Sequence, residues 1–300
     1  MIIKEVNNKV KVLRENDFKL EKHIQSFFEN NLNEILGIKF VATEFTVDDF
    51  RIDTLAFDEE SKSFRILEFK NIKNHSLFDQ GITYLNILFD RKADFVLKYN
   101  EVFSKNLSIK DIDWTQSRII FVSPIYSKYQ LSATRDISLP FDLYKVTKYE
   151  EGIYNIEKQE KGRTSNINSM LDIPKPKVLN EVKVYTEEDH LNNRDSNVRE
   201  LYSYIKDKML ESDNIDIDVK KVYIAFKGKT NIVDIVFANH LIKAIINMKK
   251  GLLNDPLNKT VDVSETGHWG NGHYSIDIKN KEDADYFLTL FNQSLEINKK

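Results

Sequence analysis

Residues 50–84 read FRIDTLAFDEESKSFRILEFKNIKNHSLFDQGITY, and this stretch decides the fold of the first half of the chain. Its pattern predicts two β-strands joined by a polar turn and followed by a helix. Asp53 lies in the first predicted strand, and Glu68 and Lys70 lie two residues apart in the second. Side chains alternate faces along a strand at about 3.3 Å per residue, so Glu68 and Lys70 share a face. The pattern predicts one chemically active face and one core face.

The whole chain has the composition of a globular protein with about two domains. Of its 300 residues, 41% are hydrophobic and 30% charged, which is enough for a core in each domain. The absence of cysteine excludes disulfides and thiolate sites and fits a reducing cytoplasm. No apolar run approaches the roughly 20 residues of a membrane span, and the start lacks a signal-peptide pattern. We therefore expect a cytoplasmic protein with no membrane partner.

Charge gives weaker guidance about partners. The formal net charge is −3. A protein with no overall basic field binds nucleic acid only through a local patch. The charge therefore argues against nucleic acid as a partner, but not decisively.

A helix is predicted over residues 15–37, with Asn16 or Asp17 as its cap and Gly37 as its stop. Glu21 interrupts the apolar stripe of this helix. A carboxylate in that position costs free energy unless it is paired, hydrogen-bonded or close to a metal ion. An alternative stays open, in which the Glu21 side chain lies beside the apolar stripe and reaches water or a lysine.

The remaining elements of the first half alternate between strands and helices. Residues 76–91 fit a helix with Ser76 as cap, and a closing hairpin turns at Gly152. Compact apolar runs predict interior strands. Strands are predicted at KFVATEFTV (39–47), ADFVLKY (93–99) and SRIIFVSP (117–124), with the hairpin at LPFDLYKVTKYEEGIYNIEK (139–158).

A break in the pattern divides the chain into two domains. Residues 159–185, with Pro174 and Pro176, lack periodicity and are assigned to a linker between a domain at 1–158 and a domain at 186–300. The second domain contains a predicted helix at 193–210, several strand-like runs and a closing helix. It is predicted as a smaller α+β domain with a mainly antiparallel sheet.

The pattern Glu-x-Lys occurs three times, beginning at Glu60, Glu68 and Glu181. Only the copy at Glu68 lies in a buried-looking strand, with the acid-bearing strand of Asp53 just before it. Two carboxylates on adjacent strands suit one hard divalent cation such as Mg²⁺, which prefers oxygen ligands. Lys70 beside them would orient a water molecule or stabilise an anionic transition state.

Less specific interpretations of the same residues remain. Asp53 and Glu68 would form cross-strand ion pairs with Lys70 or Arg51 in a purely structural reading. Lys70 alone is more often a surface lysine than a catalyst. His75 is interpreted as a loop residue. Without the upstream motif, Gln80 and Tyr84 would be the polar edge of a helix.

At these residues the chain resembles the PD-(D/E)xK nuclease superfamily. The resemblance covers roughly residues 10–158. It includes an acid in a first helix, Asp53 in one strand, Glu68-Phe69-Lys70 in the next, and a following helix. Gln80-x-x-x-Tyr84 resembles the Gln-x-x-x-Tyr motif of the RecB-like branch. One departure is Ile52, which stands where the named motif has proline.

This resemblance implies a restriction-endonuclease-like α/β core with a mixed central sheet flanked by helices, and metal-dependent phosphodiester hydrolysis. Asp53, Glu68 and the Phe69 carbonyl would bind Mg²⁺, with Mn²⁺ as a substitute. Lys70 would act on the nucleophilic water, and Glu21 would be an auxiliary acid. Gln80 and Tyr84 would support the site or contact the phosphate backbone.

The second domain carries a weaker signal. Its segment GHWGNGHY (267–274) is interpreted as a tight turn rather than a metal-binding histidine pair, because no third ligand has suitable spacing. Trp269 and Tyr274 would stack on bases or fill a hairpin. Residues 184–297 resemble a domain of unknown function that accompanies nuclease and restriction-related modules.

The leading hypothesis is a Mg²⁺-dependent nuclease. Its partner would be nucleic acid, DNA in the first place, its role restriction or phage defence, and its assembly a homodimer. The alternative is a catalytically silent module that binds nucleic acid or protein on a nuclease scaffold. A purely structural interaction protein is the third class.

Overall fold

The computed structural model describes residues 2–71, 77–133, 139–159, 176–265 and 271–298. The chain forms two compact units, Met1–Val184 and Tyr185–Lys300, and each has its own buried apolar core. Within the described ranges, no helix is long and apolar enough to cross a membrane.

The chain begins with a small hairpin where the sequence suggests a single strand. β1 (Ile3–Val6) pairs antiparallel with β2 (Lys9–Val12). Between them, Asn7 and Asn8 have φ angles of 53° and 60°. Asparagine tolerates this left-handed region, and two such residues form the turn that suits a tight hairpin. The β structure is confirmed, and the turn divides it.

A mixed sheet forms the centre of the first unit, as the sequence predicts. Its strands in the described residues are β3 (Glu15–Asn16), β4 (Lys39–Val47), β5 (Phe50–Asp58), β6 (Ser63–Phe69), β7 (Arg118–Ser123), β8 (Phe141–Tyr149) and β9 (Tyr154–Lys158). The order is β3-β8-β7-β6-β5-β4, with β9 on the second edge of β8. β6, β7 and β8 run parallel, and the other pairings are antiparallel.

Helices cover both faces of this sheet. They are α1 (Glu21–Glu29), α2 (Leu32–Leu36), α3 (Leu77–Asp90), α4 (Lys92–Phe103) and α5 (Lys128–Ala133). α3 and α4 pack on one face through residues such as Leu85 and Phe95. α1 packs on the other face through Ile24 and Phe28. The central strands therefore lie between two layers of helix.

Residues 93–99 form part of α4, so the predicted interior strand is wrong. Phe95, Val96 and Tyr99 are buried, whereas Leu97 is 68% exposed. Buried positions spaced by one and then three residues define one side of a helix, whereas a strand would bury alternate residues. A short apolar run does not separate the two possibilities by itself.

The first predicted helix is divided, and its predicted cap is wrong. α1 begins at Glu21 with Leu20, rather than Asn16 or Asp17, at the N-cap. Asn16 belongs to β3, whose pairing with β8 keeps this segment extended. Gly37, with a φ of 68°, ends α2 as predicted, because glycine adopts the left-handed region without strain.

All residues of β6 are buried. Phe64 and Ile66 join the core under α3 and α4, while Leu67 and Phe69 join the core under α1. The predicted division into one active face and one core face is therefore wrong for most of the strand. A strand inside a sheet covered by helices is apolar on both faces, and polar chemistry is confined to its end.

The second unit is an antiparallel sheet with helices, as predicted. Its elements are α6 (Glu187–Leu191), α7 (Ser196–Met209), β10 (Asp216–Val219), β11 (Ile224–Lys227), β12 (Asn231–Phe237), β13 (Ile242–Ile246), β14 (Val261–Asp262), β15 (Tyr274–Ile278) and α8 (Lys281–Asn298). The order is β10-β11-β12-β13-β15-β14. β10, an edge strand with alternating aspartates, is not predicted from the sequence.

The stretch assigned to the linker, 159–185, lies partly outside the described residues, which exclude 160–175. In its last part, Val178 and Val182 are buried in the core of the first unit. Burial of these apolar side chains holds that part on the first unit, which extends to Val184.

Candidate functional site

Strands β5 and β6 separate at the end that carries the predicted site. Their ladder ends at the pair Thr54 and Leu67. One residue further, a side chain takes the place of a strand partner, because the Asp53 Oδ2 accepts the Phe69 N–H at 3.0 Å. The N–H and C=O of a strand residue point to the same edge. The Phe69 carbonyl therefore faces the gap that contains the Asp53 carboxylate.

Both helical layers hold β5 in this diverging position. Gln25 of α1 is 4% exposed, and its Nε2 donates to the Asp53 carbonyl at 2.9 Å. From α3, the Tyr84 hydroxyl lies 3.3 Å from the Arg51 carbonyl. Buried carbonyl groups need hydrogen-bond partners. For Asp53, the Gln25 side chain supplies the partner that β6 no longer provides.

The Glu68 carboxylate is the most deeply buried acid of the site, at 3% exposure. Its Oε1 accepts from the Lys70 Nζ and the Gln80 Nε2, each at 2.5 Å. Its Oε2 accepts from the Tyr84 hydroxyl at 2.8 Å. Gln80 also donates to the Tyr84 oxygen at 3.1 Å, since the two residues are one turn apart on α3. These donors satisfy the buried oxygens of Glu68.

Lys70 lies one residue beyond β6, where its N–H donates to the Val122 carbonyl at 2.9 Å. Its Nζ lies 3.9 Å from the Glu21 Oε1. Burial lowers the pKa of Lys70, but the hydrogen bond and charge of Glu68, with the charges of Glu21 and Asp53, raise it more. The net pKa is above the ordinary value. Lys70 is therefore an ammonium ion at neutral pH and acts as a fixed positive charge.

The surroundings of Asp53, in contrast, disfavour its charged form. Burial and the nearby charge of Glu68 raise its pKa to about 7, although the Phe69 N–H and the Lys70 charge lower it. Three carboxylates, Asp53, Glu68 and Glu21, thus converge on a single ammonium group. An excess of buried negative charge is relieved by a proton or by a cation.

Glu21 lies on the solvent side of this group. Its side chain is 43% exposed, and its Oε2 accepts the Asn71 N–H at 3.2 Å. Asn71 in turn donates from Nδ2 to the Phe18 carbonyl at 2.6 Å. Glu21 and Asn71 therefore connect the segment before α1 to the end of β6 at the mouth of the site.

The donor set suits a hard divalent cation. Asp53 and Glu68 supply two carboxylates, and the Phe69 carbonyl faces the same gap, which gives the oxygen ligands that Mg²⁺ accepts beside its waters. Within the described ranges, no group of three or more His, Cys, Asp or Glu side chains is placed to hold a metal ion. The site fits an ion that takes part of its ligands from water and substrate rather than a closed protein cage.

Comparison with known proteins identifies one relative along nearly the whole chain. An uncharacterized protein of Haemophilus influenzae is 41% identical over 288 residues, which cover 95% of each chain. This chain belongs to the same family. A scan against protein-family models finds no match.

Two solved structures also match part of the chain. One is a repair endonuclease from Pyrococcus abyssi, with 18% identity, a TM-score of 0.28 and coverage of 43% of this chain and 48% of the other. The second is an EndoMS–dsDNA complex, with 17% identity, a TM-score of 0.30 and coverage of 43% and 47%. This chain thus spans about half the length of either. With TM-scores this low, neither match carries an argument about this family.

All six side chains proposed from the sequence lie at this end of the sheet. Their contacts join Asp53, Glu68 and Lys70 on β5 and β6 to α1 and α3. Sequence reasoning missed Gln25 and Asn71. A signal for Gln25 was present, because it follows Glu21 by one helical turn and is a second polar residue against the apolar stripe. Asn71 carries no such signal, since its role depends on Glu21 and Phe18 from another segment.

Other sequence-based interpretations fall elsewhere. His75, Ser76, Pro174, His268 and Trp269 lie outside the described residues.

The segment GHWGNGHY (267–274) of the second domain lies partly within the described residues. The His273 Nδ1 accepts the Lys250 N–H at 2.9 Å, and the Tyr274 hydroxyl accepts the Gly251 N–H at 2.5 Å. Gly272 has a φ of 130°, and a Cβ there would lie 2.2 Å from the Ile246 oxygen. These contacts hold residues 272–274 against residues 246–251, and position 272 requires glycine because a Cβ would meet the Ile246 backbone. The predicted turn at 267–270 lies outside the described residues.

Proposed function

We propose that the first unit is a metal-dependent nuclease that hydrolyses phosphodiester bonds, with DNA as its substrate. The observation that carries this proposal is the open end of β5 and β6, where the carboxylates of Asp53 and Glu68 and the ammonium of Lys70 converge. The buried carboxylates would hold a divalent cation, and that cation and the fixed positive charge of Lys70 would stabilise the negative charge of an anionic ester during hydrolysis.

Each side chain has a definable task. Asp53 and Glu68, with the Phe69 carbonyl, would hold a Mg²⁺ or Mn²⁺ ion. A bound divalent ion would supply Lewis-acid stabilisation of the phosphate charge and lower the pKa of a water molecule. Lys70, kept protonated by its neighbours, stabilises negative charge on the phosphate and orients the water. This role does not require Lys70 to remove a proton itself.

The α3 residues position the site rather than react. Gln80 and Tyr84 both donate to Glu68 and so fix the direction of its carboxylate. Burial and the Glu68 charge raise the pKa of the Tyr84 hydroxyl, which keeps it a donor. Glu21, on the solvent side, is placed to act as an auxiliary acid near an incoming water or phosphate.

The proposal also includes a biological role for the protein. The resemblance of residues 184–297 to a domain that accompanies restriction-related modules suggests restriction or phage defence, with the second unit selecting target or partner. The homodimer and the cytoplasmic location remain predictions.

A second candidate is a silent scaffold that binds nucleic acid or protein. One observation favours it: both oxygens of Glu68 already accept hydrogen bonds from Lys70, Gln80 and Tyr84. A closed ion pair of this kind is also found where no reaction takes place.

The test is to incubate the full chain with single-stranded, duplex and modified DNA and with RNA, in Mg²⁺, Mn²⁺ or EDTA. Glu68→Ala and Lys70→Ala are assayed in parallel, with Lys110→Ala, an exposed lysine of the other end of the sheet, as control. Metal-dependent cleavage lost in the two site variants alone supports the proposal. Metal-independent cleavage, or site variants as active as the parent, contradicts it. Salt-dependent binding without turnover selects the silent scaffold.

A further inference from the structure

A cleft opens beside the site, where one edge of β8 changes partner. β7 pairs with β8 as far as Lys145, and β3 pairs with it from Lys148 onward. In the described pairings, Val146 and Thr147 have no strand beside them on that edge. The gap forms a cleft of about 620 Å³. We call it the β3–β8 cleft.

The β3–β8 cleft adjoins the carboxylate site through shared residues. Asn71 and Phe18 both line it. The Asn71 N–H donates to the Glu21 carboxylate, which faces Lys70. The Glu21–Asn71 contact therefore links the lining of the cleft to the carboxylate site.

The β8 side of the cleft carries two lysines. Lys145 and Lys148 line it and are half-buried on β8. They are three residues apart, so their side chains lie on opposite faces of the strand. Within the described part of the chain, neither ammonium forms an ion pair, and Lys148 lies 6.0 Å from the Tyr154 ring centroid. Two ammonium groups without a carboxylate partner are available to anionic groups such as phosphates.

The other surfaces suit a planar base. Ile125 and Leu131 present apolar surface, and Ile125 is 42% exposed, whereas Phe18 behind them is 8% exposed. Asn16 and the acids Glu15 and Asp17 line the β3 side, where carboxylate oxygens can accept from the amino groups of bases. The cleft thus combines a phosphate-binding wall with an apolar and a hydrogen-bonding surface.

The size of the cleft limits what enters it. Sites for small organic ligands have volumes of roughly 300 to 1,000 Å³. The cleft lies within that range and accommodates one or two nucleotides. Bases in a duplex are stacked and paired, so a nucleotide must be unpaired before it can enter such a pocket.

We propose that the β3–β8 cleft binds an unpaired nucleotide next to the scissile phosphate, so that the substrate is a single strand or the single-stranded part of a larger nucleic acid. This inference rests on the proposed nuclease function. Lys145 and Lys148, on the two faces of β8, bind phosphates of the flanking strand, and Ile125 contacts the base. The cleft thereby determines which strand reaches Asp53 and Glu68.

The test measures binding without cleavage. Short labelled oligonucleotides, as single-stranded DNA, single-stranded RNA and duplex DNA of one sequence, are titrated in EDTA with fluorescence anisotropy as the readout. We expect the single strands to bind at least about tenfold more tightly than the duplex. The DNA and RNA arms show which sugar is preferred. Equal or tighter binding of the duplex overturns the proposal.

Two kinds of variant locate the binding. Lys145→Ala combined with Lys148→Ala removes the cations, and Thr147→Trp fills the cleft without changing charge. Each should weaken single-strand binding at least about tenfold, and the lysine pair should reduce the salt dependence. The controls are Lys105→Ala combined with Lys110→Ala, two exposed lysines near the far end of the sheet, and Thr147→Ser. Cleft variants that fold by circular dichroism and bind like the parent overturn the proposal.

The same titration with Glu68→Ala separates the two proposals. If Glu68→Ala and the parent both bind single strands through the cleft but the parent cleaves nothing in Mg²⁺, the nuclease proposal fails and the cleft proposal stands. If the parent cleaves in a Glu68-dependent way but the cleft variants bind and cleave normally, the cleft proposal alone fails.

Discussion

Strand β6 carries two buried ionic clusters, and they differ in the balance of their charges. At its start, the Arg65 cluster pairs one cation with one anion: Arg65 donates from Nη2 to the Asp58 Oδ2 at 2.7 Å. Further donors of Arg65 reach the Gln116 carbonyl at 2.6 Å and two serine hydroxyls. At its end, the Glu68 cluster comprises Glu68, Asp53, Glu21, Lys70, Gln80 and Tyr84, with three acids facing one ammonium.

The difference separates a structural cluster from a site prepared for a ligand. Arg65 and Asp58 are 7% and 5% exposed and satisfy each other. In the Glu68 cluster, Asp53, Glu68 and Glu21 face the one ammonium of Lys70, and burial together with the charge of Glu68 raises the pKa of Asp53. Burial alone therefore does not mark a functional group. An uncompensated charge that opens to solvent through Glu21 does.

The largest effect should come from breaking the balanced cluster. Arg65→Met leaves the Asp58 carboxylate buried without its cation, which typically costs about 3–5 kcal/mol of unfolding free energy. Urea denaturation in EDTA measures this loss. Lys62→Ala, which removes an exposed cation of the preceding turn, is the control and should change stability by less than about 0.5 kcal/mol. A loss as small as that of the control would mean that the Arg65 cluster is not structural.

The next effect concerns activity at the unbalanced cluster. Glu68→Gln keeps the shape of the side chain and removes its charge, so we expect a fall in the metal-dependent cleavage rate of about 10²–10³-fold. Initial rates on the preferred substrate measure it. Calorimetric titration with Mn²⁺ should show weakened binding in the same variant. Unchanged rates and Mn²⁺ binding would remove Glu68 from the proposed chemistry.

A smaller effect of opposite sign is expected for Asp53→Asn in EDTA. The folded-state pKa of Asp53 is raised from its ordinary value of 3.8 to about 7, so the folded protein binds a proton that the unfolded chain releases. Stability is full below pH 4 and falls as the pH rises toward 7. Asp53→Asn removes this loss and should be more stable at pH 8 by about 1–3 kcal/mol.

Thermal unfolding between pH 5 and pH 8 measures that difference. The parent should show the greater decrease with pH, and added Mg²⁺ should stabilise the parent at pH 8 but not Asp53→Asn. An identical pH slope in both proteins would contradict the electrostatic account of the site.

The smallest effect is expected on α3. Tyr84→Phe removes the hydroxyl that donates to Glu68 at 2.8 Å and keeps the ring packed. The loss of one of the hydrogen bonds to Glu68 should lower the cleavage rate only about tenfold. A readout specific to positioning is a fall in kcat with an unchanged KM. Tyr99→Phe, another tyrosine that donates to an acid in this unit, Glu59, is the matched control.

Much of the fold followed from local pattern. The alternation of β4, β5 and β6 and the periodicity of α3 are properties of short stretches, so these elements were predicted close to their observed bounds. The residues Asp53, Glu68 and Lys70 were found for the same reason. The strand predicted at residues 93–99 was wrong because a short apolar run fits a helix and a strand equally well. Only packing decides between the two.

Tertiary structure alone decided how these residues work. The sequence by itself determined which side chains carry charge and, for the six proposed site residues, whether each belongs to the first helix, the strand pair or the following helix. It did not determine that β5 leaves β6 at Asp53, that Gln25 and Asn71 complete the site, or that β3 and β7 leave a gap on β8. These features depend on contacts between segments far apart in the chain. No local periodicity encodes such contacts, because they are set by which buried polar groups can find partners once the cores have packed.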